Sequence, residues 1–264
     1  TAGERGSWSD PLVVSCLIVG GISLVLFVWR QLISKQPMMD LRAFKYPMFS
    51  LVTILMLVIM MSLFSTMIML PLFMQQVLLL TAFASGLALM PGGIINGIMA
   101  PVSGVLFDKF GPRVLVIPGI VLMCVAIYMF MGIEADWTKG RLILINIIMM
   151  IGISLVMMPA QTTGLNQLPK SLYAHGTAIL NTLTQVAGAI GVALFISIMS
   201  SGAKDYMKAP DLSLSPEDMA RQAMVAGLHD AFLIGLILAI LALVISLFIK
   251  RSHAPKEETD QSAA

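Results

Sequence analysis

MFSLVTILMLVIMMSLFSTMIMLPLF, residues 48–73, runs its whole length without one charged side chain. A helix crossing the ~30 Å hydrocarbon core of a bilayer needs roughly 20 apolar residues. A helix on a soluble core would carry a polar stripe, and this run is mostly apolar all round. Reading outward, the pattern recurs in Leu12 to Trp29, Phe83 to Phe107, Val114 to Gly132, Leu142 to Ala160, Ala174 to Met199 and His229 to Ile249. The chain is 58% hydrophobic and 11% charged, with mean hydropathy +0.92. That composition excludes an ordinary soluble domain. Each run is expected to be helical, because loops and unpaired strand edges cannot sit in hydrocarbon. The expected fold class is an all-α integral membrane protein with seven transmembrane helices, and its first partner is the lipid bilayer.

Lysine and arginine predict the topology. Arg30, Lys35, Arg42 and Lys45 fall in one loop, Lys109 and Arg113 in another, Lys170 in a third, and Lys250, Arg251 and Lys256 in the tail. These segments are expected to be cytoplasmic. The opposite segments are neutral or mixed: Gln75 and Gln76, then Glu134, Asp136, Lys139 and Arg141, then the long stretch Ser200 to Leu228. The N-terminus is therefore expected outside and the C-terminus inside. The chain starts at Thr1 in TAGERGSWSDP, with neither initiator Met nor signal-peptide pattern. An odd number of spans with an external start is expected of the C-terminal part of a larger protein. The tail KRSHAPKEETDQSAA, residues 250–264, is expected to be disordered.

The run FASGLALMPGGIINGIMAPVSGVLF, residues 83–107, departs most from a plain span. Pro91 and Pro101 each remove a backbone donor and favour a kink. Gly93 and Gly97 form a GxxxG pair, which lets another backbone approach closely. Asn96 is a polar residue near the centre of the run. These features predict a bent, gating helix beside a cavity, against a bland reading as tight packing. The run continues into GVLFDKFGPR, residues 104–113, where Gly111 permits a sharp turn. Asp108 can pair with Arg113 or with a neighbouring loop, as a gate or as a static turn. In the run after Ala174, Thr177, Asn181, Thr184, Gly188 and Gly191 recur on one helical face, with Gln185 at its border. Such a stripe faces protein or water rather than lipid. It either lines a substrate path or holds helices together. The amides of MMPAQTTGLNQLPKS, residues 157–171, read as local capping.

No Asp, Glu, Lys or Arg sits deep in any run, whereas ion-coupled pumps usually carry an intramembrane ionisable group. Asp230, at the end of the last run, reads as an interfacial residue. Cys16 and Cys124 lie in apolar runs and read as packing residues. His175, His229 and His253 are scattered, so no metal site is expected. No phosphate-binding GxxxxGK[ST], HExxH or Ser-His-Asp pattern occurs, so neither an ATPase nor an enzyme is expected, and no cofactor. The net charge of +2 gives no sign of a nucleic-acid partner. The 22 methionines suit either an adaptable binding surface or ordinary helix packing.

Three segments carry a family resemblance. PMMDLRAFKYPMFS, Pro37 to Ser50, resembles the loop ahead of the C-terminal bundle in fourteen-spanning drug:proton antiporters of the major facilitator superfamily. LMPGGIINGIMAPVSGVLFDKFGPR resembles that branch's Pro/Gly-rich helix and its G-x-L-x-D-x-x-G-x-[KR] loop motif, here Gly104, Leu106, Asp108, Gly111 and Arg113. GTAILNTLTQVAGAIGVAL, Gly176 to Leu194, resembles the penultimate helix. Lincomycin-efflux permeases of Gram-positive bacteria look closest. The resemblance implies a linker helix within residues 1–47, a six-helix C-terminal bundle over 48–250 and a cytoplasmic tail over 251–264. It implies alternating access in a bacterial plasma membrane. Amphipathic drugs and protons would be the ligands, and the N-terminal half of the same transporter would be the partner. Asn96, Asn181 and Gln185 are expected to line the cavity on the face argument alone. The alternatives are a non-transporting fragment or subunit needing a partner half, and a proton-coupled nutrient transporter on the same scaffold.

Overall fold

A computed structural model describes residues 11–33, 39–208 and 215–249. Among them are seven α-helices and no strand. We label them α1 (Pro11–Ile33), α2 (Pro47–Gln76), α3 (Ala82–Phe110), α4 (Pro112–Met131), α5 (Lys139–Leu165), α6 (Lys170–Lys208) and α7 (Pro216–Ser246). A short 3-10 turn, Leu41–Lys45, precedes α2. All seven helices are long and apolar enough to cross a membrane. The chain is thus an all-helical, multi-span membrane protein. The tail from residue 251 lies outside the described residues.

Local chemistry sets the helix ends. Proline occupies the first turn of α2, α4 and α7, where no intrahelical donor is needed. The Thr81 hydroxyl caps α3 by accepting from the Ala84 N–H at 3.2 Å. Gly111 joins α3 to α4 with φ 81°, a left-handed conformation that a β-carbon would strain. Two ends correct the sequence-based expectation. α6 continues to Lys208 rather than stopping at Met199, and α7 starts at Pro216 rather than His229. The helix start is encoded in polar residues that hydropathy does not register. The Ser215 hydroxyl accepts from the Asp218 N–H at 3.1 Å, and Glu217 and Asp218 place negative charge in the first turn.

α2 is the most deeply packed helix, touching α5, α6 and α7 along its length and α3 more lightly. α5 lies against α3 and α4, while α7 lies against α4 and α6. The Phe130 and Phe232 rings stack at 5.3 Å between α4 and α7. In lipid, helix association depends on close packing rather than water exclusion, so small residues matter at crossings. Gly119 on α4 and Gly152 on α5 face each other so closely that a β-carbon on either would meet the other's carbonyl at 2.7–2.8 Å. Gly202 on α6 and Gly227 on α7 mark a second close crossing, where a β-carbon on Gly202 would meet the Gly227 Cα at 2.9 Å and one on Gly227 the Met199 carbonyl. The predicted Gly93–Gly97 pair does not serve this purpose among the described residues: none of them lies within 4 Å of a β-carbon at either position, because α3 turns most of its surface outward. The described side chains of α1 are exposed apart from Gln31, whose side chain accepts from the Met39 N–H at 3.3 Å.

Candidate functional site

α2, α3 and α5 line a partly open cavity of about 480 Å³. Its walls are mainly apolar, and Met67, Met150, Met157 and Met158 supply flexible thioether surface. Thr66, Asn96, Asn146 and Ser154 are its polar side chains, and no lining residue is charged. The volume falls in the ~300–1,000 Å³ range of small-molecule sites.

Each polar group is positioned by its helix. Thr66 Oγ1 donates to the Ser62 carbonyl at 2.8 Å, the usual return bond to the residue four earlier. Asn96 reaches across from α3, and its Nδ2 donates to the Met150 carbonyl of α5 at 3.3 Å. Asn146, Met150, Ser154 and Met158 recur every fourth residue, forming one strip on α5. Asn146 is buried, and its carboxamide lies where a side chain on Gly92 would otherwise stand. Ser154 is 4% exposed, and its Oγ has no hydrogen-bond partner among the described residues.

The residues expected at a site therefore divide. Gly93 and Asn96 line the cavity together. Pro91 and Pro101 both lie inside α3, which stays one uninterrupted helix through them. Asn181 and Gln185 lie on an exposed part of α6 and do not line this cavity. The other end of that stripe is packing surface: Gly188 abuts the Phe64 ring and Gly191 the Met61 backbone. Gly104, Leu106, Asp108, Gly111 and Arg113 gather at the α3–α4 turn. Asp108 and Arg113 are both exposed there and form no ion pair with each other. In the 157–171 segment the cap that forms is not the local one expected but a long-range one from Gln167. Gln167 Oε1 accepts from the Met48 and Phe49 N–H groups at 2.7 and 3.2 Å, satisfying the first turn of α2. No group of three or more metal-binding side chains occurs among the described residues.

Sequence reasoning passed over Asn146 and Ser154. The available signal was the one that marked Asn96: an amide inside a long apolar run. Their convergence with α3 needed the tertiary structure.

Comparison with known proteins supports a transport scaffold. The family model described as Major Facilitator Superfamily matches residues 4–192. "Lincomycin resistance protein LmrB" of Listeria monocytogenes is 52% identical over 252 residues, covering 96% of this chain and 53% of that protein. The protein of the same name from Bacillus subtilis is 52% identical over 251 residues, covering 95% of this chain and 52% of its own length. "Multidrug resistance protein B homolog" of Mycobacterium tuberculosis is 27% identical over 288 residues, covering 98% and 52% respectively. The chain spans about half the length of these curated relatives. A match over residues 4–192, on a bundle of membrane-length helices, assigns the chain to the major facilitator superfamily.

Proposed function

We propose that the chain is the C-terminal half of a multidrug efflux transporter in a bacterial plasma membrane, working by drug:proton antiport and alternating access. α2–α7 form its C-terminal bundle, and α1 is the linker helix. The cavity between α2, α3 and α5 is the observation that carries this reading: uncharged, methionine-rich and of drug-sized volume. The names of the relatives support export of an antibiotic or similar amphipathic compound. Proton coupling belongs to the other half in this reading, because no charged side chain lines the cavity. The Gly104–Arg113 turn forms part of the cytoplasmic closure. Asp108, exposed and unpaired with Arg113, is available to a charge on the opposing bundle.

The test is dye and lincomycin efflux from energised cells. The chain is expressed alone and fused behind the N-terminal half of the Listeria monocytogenes relative, each with and without a protonophore. The expected outcome is protonophore-sensitive efflux from the fusion and none from the chain alone. Efflux by the chain alone removes the half-transporter reading. Uptake instead of efflux by the fusion favours the nutrient-transporter alternative.

A further inference from the structure

We propose that the α2–α3–α5 cavity selects an uncharged ligand bearing hydrogen-bonding groups, and that Asn146 and Ser154 set this preference. The inference rests on reading the cavity as the chain's substrate site. It adds the chemical class of the ligand and two residues that discriminate it.

The charge argument comes first. No acidic side chain lines the cavity, so a cation placed there would lose hydration without gaining a counter-charge. Burying an unpaired charge is far costlier than burying a hydrogen-bonded neutral group. The apolar part of a neutral ligand meets Met67, Met157 and Met158 instead.

The second argument is an unfilled hydrogen bond with a visible cause. Thr53, Ser62, Thr66 and Thr163 all return their hydroxyl to the carbonyl four residues earlier, at 2.6–3.2 Å. For Ser154 that carbonyl belongs to Met150, and Asn96 already occupies it from α3. The Ser154 hydroxyl is left buried and unpartnered at the cavity wall. Two helical turns away on the same strip, Asn146 lines the cavity as well, with its carboxamide oxygen lying against Gly92. At 1.5 Å rise per residue the two positions lie about 12 Å apart along α5. Together they offer a donor–acceptor pair at each end of an apolar wall. The unsatisfied Ser154 hydroxyl carries a desolvation penalty that a ligand with an amide or hydroxyl offsets on binding.

Fluorescence titration of the chain in lipid nanodiscs tests this, with empty nanodiscs subtracted. The probes are dansylamide (neutral, donor and acceptor), dansylcholine (a permanent cation) and pyrene (apolar, without hydrogen-bonding groups). We expect saturable dansylamide binding and dansylcholine binding at least about tenfold weaker. Ser154→Ala should weaken dansylamide about 3- to 10-fold, the range of one neutral hydrogen bond, and leave pyrene unchanged. Asn146→Leu, which keeps the branched shape but not the amide, should act in the same direction. Equal affinity for the cation, no saturable dansylamide binding, or dansylamide affinity unmoved by both variants overturns the proposal. Parallel loss of pyrene and dansylamide in Ser154→Ala also overturns it, because the cavity rather than the hydroxyl was then lost. Binding is read without transport, so a failed efflux assay beside intact selectivity counts against the exporter reading and not against this one.

Discussion

At the residue scale, position decides what a glycine does. Gly227 has no room for a methyl group, since a β-carbon would meet the Met199 carbonyl and the α6 backbone. A β-carbon on Gly93 would meet none of the described residues within 4 Å. Gly227→Ala is expected to destabilise the fold by about 1–3 kcal/mol, the usual cost of overpacking. Gly93→Ala should stay within about 0.5 kcal/mol. Thermal unfolding in detergent checks the pair; equal melting temperatures would show that the α6–α7 crossing is looser than described. The sequence marked the Gly93–Gly97 pair and gave no sign of Gly202 and Gly227. A GxxxG pattern is visible in one segment, whereas glycines on two helices are linked only by the crossing itself. Asn96 was legible because a lone amide in an apolar run is conspicuous. Ser154 was not, because its missing bond depends on Asn96 occupying a carbonyl on another helix.

At the element scale, hydropathy and helix length are separate quantities. α6 has 39 residues, which at 1.5 Å each spans about 58 Å, well beyond a ~30 Å hydrocarbon core. Its last residues and the first turns of α7 are therefore helical outside the apolar zone. Tyr206 and Gln222 connect the two extensions by a 2.5 Å hydrogen bond, with the tyrosine hydroxyl donating. The start of α7 rests on Ser215, so Ser215→Ala should cost its first turn about 1 kcal/mol. Faster amide hydrogen exchange at 218–221, with α2 unaffected, is the expected signature. Unchanged exchange would mean that Pro216 and the acidic first turn suffice. Ser-Pro-Glu-Asp at 215–218 was readable as a helix start all along. Apolar run length does not register it, because its residues are polar.

At the scale of the whole molecule, α2–α7 pack round a common core while α1 and much of α3 keep apolar surface turned outward. In the proposed transporter the Gly104–Arg113 turn meets the opposing bundle at the cytoplasmic face. Asp108→Asn in the fusion should therefore reduce efflux severalfold with no loss of membrane insertion. Unchanged efflux would assign Asp108 to a static turn. The number of spans and the membrane character followed from sequence alone, because the bilayer imposes a length and polarity test on each segment independently. The turn at Gly111 was likewise local, a matter of one residue's backbone freedom. The tertiary structure decided the rest: which glycines meet, that Gln167 caps a helix 119 residues away, and that Asn96, Asn146 and Ser154 converge on one cavity. In a lipid environment every helix is apolar nearly all round, so the pattern along one segment does not say which face meets protein. Only the packing of backbones against one another settles that.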